Sequence, residues 1–285
     1  MEQIKLAIQK SGRLSEKSID LIKEAGIKLN NGNRTLVSPA SNFPLEILYL
    51  RDDDIPQSVE DGVADIGIVG ENEVEEKDKQ IQIIEKLGFS KCRLSLAIPK
   101  NIPYNGLDFF NGKVIATSYS HILRKYLQEH NVNADIHEIS GSVEIAPSIG
   151  LADGIFDIVS SGSTLISNGL KEVEVVLRSQ AVLVGGSTLN EEKQKTLDEF
   201  LFRIHSVQRA QKNRYILLNV PNDNLDEVIK ILPGMKSPTV MPLAESGWSS
   251  VHTVIGEEDF WNIIGQLKAH GAEGILVIPI EKMIV

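Results

Sequence analysis

The run Asp157-Ile158-Val159-Ser160-Ser161-Gly162-Ser163-Thr164-Leu165 places an acid in an apolar, strand-like stretch and follows it with a small, hydroxyl-rich loop. A carboxylate is out of place in a buried strand unless it has a partner. Aimed into a cleft, it accepts hydrogen bonds from two neighbouring ribose hydroxyls, as acids do in nucleotide sites. Ser160, Ser161, Gly162, Ser163 and Thr164 lead into a short helix from about Thr164 to Ser167, whose backbone amides would cradle a phosphate group. Gly162 would let the backbone approach the anion with no Cβ in the way. The same residues also read as a plain helix cap, Ser163 or Thr164, on a polar turn. The Gly-Lys-Ser/Thr ending of a P-loop is absent, which disfavours direct ATPase chemistry.

Such a loop must be held by strand ends, and an internal echo supplies them. Asp61-Gly62-Val63-Ala64-Asp65-Ile66, with Gly70 following, matches Asp153-Gly154-Ile155-Phe156-Asp157-Ile158, with Gly162 following, at identical spacing. Each copy reads as a helix end closed by Gly, a short strand, and a Gly-containing loop leading into another helix. The apolar-Pro pairs Ile55-Pro56 and Ala146-Pro147 precede the copies and suit a helical first turn, where proline forfeits no hydrogen bond. A second echo joins Lys5-Leu6-Ala7-Ile8 and Lys10-Ser11-Gly12-Arg13 to Lys113-Val114-Ile115-Ala116 and Thr117-Ser118-Tyr119-Ser120. Both are strand, polar loop and amphipathic helix, the helices running from Ser15 to Glu24 and from His121 to Glu129. Two echoes in one order favour two similar α/β lobes.

Alternating strand and helix signals imply mainly parallel sheets with ligand loops at the carboxyl ends of the strands. The loops Lys10 to Arg13, Asp65 to Asn72, Thr117 to Ser120 and Asp157 to Thr164 would then face one interlobe cleft. Gly88 to Lys100 carries the chain out of the first lobe and Lys171 to Leu183 brings it back, as in a hinged clamshell. The expected division is 1–92 with 173–210 for the first lobe, 93–172 for the second, and 211–285 for a separate domain. A long helix from about Asn190 to Gln211 presents Leu197, Phe200, Leu201, Ile204 and Val207 on one face. Beyond it, strands at Tyr215–Val220, Thr239–Leu243, Trp248–Ile255 and Gly274–Ile280 and helices at Asn224–Leu232 and Glu258–His270 give a ferredoxin-like βαββαβ order. That plan hosts many functions and proves none.

Composition limits the partners. Over 285 residues, 42% apolar and 24% charged content is that of an ordinary globular chain large enough for two or three units. A formal charge of −10 argues against nonspecific binding to nucleic acid, which needs a basic field, but not against small anions held by local cations and amides. No apolar run approaches the ~20 residues that span a bilayer, so no membrane partner is expected. The N-terminus enters a strand pattern without an apolar signal core, and a cytoplasmic location is expected. Cys92 is the only cysteine, which excludes an intrachain disulfide and a cysteine metal cluster. His205, His252 and His270 read as surface or packing residues, because no second ligand stands at a suitable spacing.

Glu144, Gly150, Ala152, Ile155, Asp157-Ile158, Ser161-Gly162 and Thr164-Leu165, in that spacing, resemble the long motif that marks ATP phosphoribosyltransferases. The likeness extends through Gln9–Leu14, Arg51–Pro56, Gly67–Asn72, Cys92–Ala97, Ile115–Tyr119 and Asn168–Leu170. Near the end, Ser237-Pro238-Thr239 and Pro279–Met283 continue it, so the resemblance is to the long form of the enzyme. It implies a two-lobed, periplasmic-binding-protein-like (type II) catalytic core and a C-terminal ferredoxin-like, ACT-like regulatory domain. The activity implied joins ATP to phosphoribosyl pyrophosphate (PRPP), releasing pyrophosphate at the entry to histidine synthesis.

By that likeness, Ser160, Ser161, Gly162, Ser163 and Thr164 hold the phosphate of PRPP and Asp157 its ribose hydroxyls. Asp153 is a further candidate there, though it could equally end a helix, and Glu144 could touch the second substrate or merely start a helix. Lys10, Ser11, Gly12, Arg13 and Arg51 would serve ATP or pyrophosphate, against the alternative of solvated loops. Gly70, Glu71 and Asn72 would meet adenine or its ribose, and Tyr119 would stack on the base or pack in its lobe. Asp52-Asp53-Asp54 could hold magnesium, but acids also suit a helix N-terminus. The Mg2+ implied by the chemistry is expected to ride mainly on substrate oxygens. For the last domain the resemblance implies histidine as an inhibitor, with Asn219, Met235, Ser237, Thr239 and Ala272 as candidates, and dimers and hexamers as assemblies. A plain oligomerisation domain would look the same. The rival reading is a two-lobed anionic solute-binding or ligand-sensing protein, against which stand the missing export signal and the appended domain.

Overall fold

The computed structural model describes residues 2–30, 36–186, 189–232, 234 and 237–285. They form two compact units, Met1–Asp20 with Lys28–Thr196, and Leu21–Ile27 with Leu197–Val285.

In chain order the first unit contains β1 (Ile4–Gln9), the start of α1 (Arg13–Glu24), β2 (Val37–Pro39), β3 (Leu45–Leu50), α2 (Ile55–Glu60), β4 (Ile66–Gly70), α3 (Glu71–Lys77) and β5 (Gln82–Lys86). It continues with β6 (Cys92–Pro99), β7 (Val114–Thr117), α4 (Ser120–Glu129), β8 (Asp135–Glu138), β9 (Gly154–Val159), α5 (Ser163–Ser167), β10 (Leu170–Ser179), β11 (Ala181–Gly185) and the start of α6 (Glu191–Gln211).

One sheet has the order β2-β3-β1-β4-β11-β5 and the other β10-β6-β9-β7-β8. In the first, β1 runs parallel to β3 and β4, while β11 runs antiparallel to β4 and β5. In the second, β7 runs parallel to β8 and β9, and β6 runs antiparallel to β9 and β10. Each lobe thus places its first parallel strand between its second and third, then an antiparallel strand made at a crossing. This is the type II order of periplasmic binding proteins. The strands are buried on both faces, as β4 and β11 show with Ile66, Ile68, Val69, Val182, Leu183 and Val184 all fully buried.

Two segments cross between the sheets, after β5 and before β11. They are paired to each other: the Leu87 amide donates to the Ala181 carbonyl at 2.9 Å, and the Ala181 amide to the Phe89 carbonyl at 3.0 Å. The expected lobe boundary at 172/173 is corrected here. β10 stays hydrogen-bonded to β6 as far as Ser179 opposite Cys92, so the second lobe ends only at Gln180. The expected assignment of 1–92 and 173–210 to one lobe also changes, since Leu21–Ile27 and the helix from Leu197 group with the C-terminal unit. Gln211 donates to the Glu24 carboxylate at 2.7 Å within that unit. Leu197, Phe200, Ile204 and Val207 are buried as the periodicity requires.

The internal echo is real but shifted by four residues. Asp65 precedes β4, whereas Asp157 lies well inside β9 and Asp153 is the residue that precedes it. The Asp65 amide donates to the Lys5 carbonyl at 2.9 Å and its carboxylate accepts the Lys5 amide at 2.8 Å. The Asp153 amide donates to the Val114 carbonyl at 2.8 Å and its carboxylate accepts the Val114 amide at 2.9 Å. The matching segments are therefore Gly62-Val63-Ala64-Asp65 and Gly150-Leu151-Ala152-Asp153, with φ of 71° at Gly62 and 75° at Gly150. Before Gly62 stands an α-helix with proline in its first turn; before Gly150 there is only a 3-10 turn at Val143–Ile145, so Pro147 opens no α-helix.

The C-terminal unit holds β12 (Asn213–Pro221), α7 (Leu225–Ile231), β13 (Thr239–Pro242), β14 (Trp248–Gly256), α8 (Glu257–Ala269) and β15 (Glu273–Pro279). All pairings are antiparallel in the order β13-β14-β12-β15, the ferredoxin-like arrangement. Ile216, Leu218, Val220, Val228, Val251, Phe260 and Leu267 form its core. Among the described residues no helix is long and apolar enough to cross a membrane.

Candidate active site

Parallel pairing puts the carboxyl ends of β1, β3 and β4 at one edge of the first sheet, and those of β7 and β9 at one edge of the second. The loops from these edges meet around a cavity of 440 Å³. Of the residues expected from sequence, Gly12, Arg13, Gly70, Asn72, Tyr119 and Ser160 line it. Asp52, the first acid of the run that could hold magnesium, lines it too, as do Gln9, Lys17, Glu73, Lys91 and Cys92, which were not anticipated as site residues.

The polar groups of this wall are not equivalent. Arg13, Lys17 and Lys91 are exposed cations, suited to phosphates that reach solvent. Asn72 and Glu73, in the first turn of α3, are buried at 4% and 8% exposure. The Asn72 side-chain carbonyl accepts the Ser179 hydroxyl at 2.8 Å, and its amide donates to Glu73 at 3.1 Å and to the Tyr119 hydroxyl at 3.4 Å. Burial, with the nearby charge of Asp52 adding to it, raises the Glu73 carboxyl to about 7. Burial also pushes the Tyr119 phenol well above its usual range, helped by the charges of Glu73 and Asp157. Tyr119 is thus a neutral donor.

The expected PRPP loop lies beside this cavity rather than within it. Asp157 is partly buried on β9, its carboxylate accepting the Ile158 amide at 2.7 Å. Burial raises it to about 6, and the charge of Glu144 adds to the rise, so these two acids of the motif are neighbours. Ser161, Ser163 and Thr164 are exposed, the first two hydroxyls hydrogen-bonded at 2.9 Å. Gly162, at φ 82°, caps α5 in a left-handed conformation that favours glycine. α5 has only five residues, so the donors this loop offers are its own amides and hydroxyls rather than a long helix dipole. The exposed strip and the cavity meet at Ile158 and Ser160, which line both.

Arg93 steadies this junction. Its guanidinium donates twice to Glu172, at 2.5 and 2.6 Å, and to the Ser160 carbonyl at 3.1 Å, while Ser95 donates to the same carboxylate at 2.7 Å. Arg93 first, then Ser95, hold the Glu172 carboxyl below its usual range.

Several expected residues are not brought in. Asp153 sits at the opposite end of β9, where its carboxylate accepts the Val114 amide and lies 3.3 Å from Lys113 Nζ, so it braces the start of the strand and does not line the cavity. Glu71 pairs with Lys86 at 2.7 Å and is absent from the cavity wall. Arg51 reaches Asp53 at 3.1 Å in solvent, and Lys10 and Ser11 are exposed beside the cavity without lining it. Asp52–Asp54 form a 3-10 turn leading into α2, and of the three only Asp52 lines the cavity. No group of three or more His, Cys, Asp or Glu that could hold a metal occurs among the described residues.

In the C-terminal unit, Asn219 and Thr239 share one sheet face, because Thr239 is opposite His252, His252 opposite Leu217, and Ser250 opposite Asn219. Ser237 is exposed just before β13. Ala272 is part of the hydrophobic core, which leaves only its backbone for a ligand. Met235 lies outside the described residues.

Two lobes with their loops converging on cations, a buried carboxylate and a hydroxyl-rich strip define a two-substrate, anion-handling enzyme of the clamshell class. The profile of the ATP phosphoribosyltransferase family matches residues 51–206, and that of the HisG C-terminal domain matches 210–282. ATP phosphoribosyltransferases of Bacteroides thetaiotaomicron and Parabacteroides distasonis are 61% and 62% identical over 282 residues, covering 99% of this chain and all of theirs. A chain of the ATP phosphoribosyl transferase (HisG:HisZ) complex from Thermotoga maritima superposes with a TM-score of 0.63 at 28% identity, over 71% of this chain and 97% of that one. This chain belongs to the ATP phosphoribosyltransferase family, in its long form with the C-terminal domain.

Proposed function

We propose that the strip and the cavity divide the two substrates of phosphoribosyl transfer between them. Amides and hydroxyls of Ser160 to Thr164 take the 5-phosphate of PRPP, and Asp157 accepts its ribose hydroxyls with Glu144 alongside. The cavity takes ATP, its phosphates near Arg13, Lys17 and Lys91, with Lys10 and Arg51 close to the entrance. Adenine lies against Tyr119 and Asn72. The observation that carries this reading is the meeting of the motif segment with the cavity at Ile158 and Ser160.

The chemistry asks for alignment and charge placement rather than a covalent nucleophile. An adenine ring nitrogen attacks the ribose anomeric carbon while the bond to pyrophosphate breaks. Positive charge grows on the sugar and negative charge on the leaving group, so orientation and fixed electrostatics dominate. A divalent cation would be carried by phosphate oxygens of the substrates, and no protein cluster of three or more His, Cys, Asp or Glu stands ready for it among the described residues. Mg2+ is the ion we assign to that part. A cytoplasmic enzyme opening histidine synthesis, assembled as dimers and hexamers and inhibited by histidine at the Asn219 and Thr239 sheet face with Ser237 nearby, completes the proposal. Calorimetric titration with PRPP and Mg2+ tests the division of substrates: Asp157→Ala should abolish binding of PRPP and leave ATP binding within threefold. Equal loss of both would defeat it.

A further inference from the structure

Glu73 is the one acid of the cavity wall that is almost fully buried, and phosphoribosyl transfer as set out above leaves it unused. A buried carboxylate repels phosphate and seeks N–H donors. The Asn72 side-chain amide donates to it at 3.1 Å and fixes its position, while the cations of the wall are exposed. In ATP, adenine offers one donor group, the 6-amino group, and the most basic free ring nitrogen, N1, stands next to it. We propose that Glu73 accepts a hydrogen bond from the adenine 6-amino group and pairs with the positive charge that develops on adenine as N1 attacks.

The step balances without a further reactant. The N1 lone pair forms the bond to the ribose anomeric carbon, and the bond from that carbon to pyrophosphate breaks with its electron pair on the leaving oxygen. The purine becomes an amidinium whose charge is shared by N1 and the 6-amino nitrogen. A weak ground-state hydrogen bond to Glu73 thereby becomes an ion pair in the transition state, the kind of interaction that raises kcat. The same carboxylate disfavours a 6-oxo purine, whose oxygen would face it, and so selects adenine from hypoxanthine or guanine.

Only ionised Glu73 can act this way. The groups around it are Asp52 and Asp53, which hold its proton on, and Lys77 and Tyr119, which favour the charge; burial dominates and the carboxyl titrates near 7. The wild-type kcat/KM for ATP should therefore rise with pH through about 7 and level off above it, since that ratio reports the free enzyme.

The inference rests on the phosphoribosyl-transfer reading, and wild-type turnover separates the two: no product from wild type defeats the reading itself. Given turnover, Glu73→Gln should lower kcat by about a hundredfold, keep KM for PRPP within about twofold, and lose the limb near pH 7. Inosine triphosphate, a competitive probe without a free N1 lone pair, should bind the variant at least about fivefold tighter than wild type. Glu73→Asp, which keeps the charge, should recover part of the rate and the limb, and it serves as the readout if the glutamine variant fails to fold. A Glu73→Gln enzyme within threefold of wild-type kcat with the limb intact, or a Glu73→Asp enzyme indistinguishable from wild type, overturns the proposal.

Discussion

Removing the Asp157 carboxylate should damage PRPP use specifically, and the size of the loss follows from its surroundings. An ionised carboxylate accepting two ribose hydroxyls gains about 1.5–3 kcal/mol from each, so Asp157→Ala should cost about 3–6 kcal/mol, or roughly 10²–10⁴ in kcat/KM for PRPP. The charge is held against burial, which raises this carboxyl from 3.8 to about 6. Two consequences follow from the sign. First, below pH 6 the carboxyl is protonated, so wild-type kcat/KM for PRPP falls as pH drops through about 6. Second, the folded state binds more protons than the unfolded one between 3.8 and 6, so the group's contribution is most favourable below 3.8 and is lost as pH rises through that window. At pH 8 the alanine variant should therefore melt no lower than wild type while losing its activity. Initial rates of pyrophosphate release at saturating ATP with PRPP varied, together with thermal unfolding at pH 8, test both. A kcat/KM for PRPP within threefold of wild type, or a loss confined to the KM for ATP, would refute the reasoning.

Three further outcomes are expected. Glu76 of α3 accepts the His121 and Ile122 amides at 3.0 Å each and so caps α4. Glu76→Ala should lower unfolding stability by about 1 kcal/mol, seen as an earlier urea midpoint at unchanged slope, and an unmoved midpoint would deny the cap. Arg93→Ala frees the Ser160 carbonyl and leaves Glu172 without its cation, so KM for PRPP should rise about tenfold, a transition-state and ground-state loss of about 1.4 kcal/mol; an effect on ATP alone would show that Arg93 does not steady the PRPP loop. Ser237→Ala should raise the histidine concentration needed for half-inhibition, whereas Asp157→Ala should not shift it, and the reverse pattern would mean that the two domains had been given each other's roles.

The clamshell was legible because strand and helix periodicities alternate cleanly and because β1 and β4, with β7 and β9, carry matching loops. The register of the echo was not. Asp65 and Asp157 share spacing from a glycine, but only hydrogen bonding shows that Asp153 holds the strand start as Asp65 does. A sequence repeat tells which residues recur, and strand pairing tells which recur in the same place. Glu73 was hidden for a different reason. It sits among Glu71, Glu75 and Glu76, which look like the solvated first turns of a helix. Only the fold reveals that Glu73 turns into the cavity wall while Glu71 pairs with Lys86. The second lobe runs past its expected boundary at 172/173 because the β10 glutamates, Glu172 and Glu174, find Arg93, Ser95 and Tyr104, contacts that no local pattern announces.

The most direct test mixes the protein with ATP, PRPP and magnesium and follows pyrophosphate and the ultraviolet change of a ring-substituted adenine in the same sample. Both signals should rise together, one pyrophosphate per adenine modified, and both should vanish when PRPP is omitted. Pyrophosphate or phosphate release that does not depend on PRPP, or no product at micromolar protein, would contradict the assignment of this cavity to phosphoribosyl transfer.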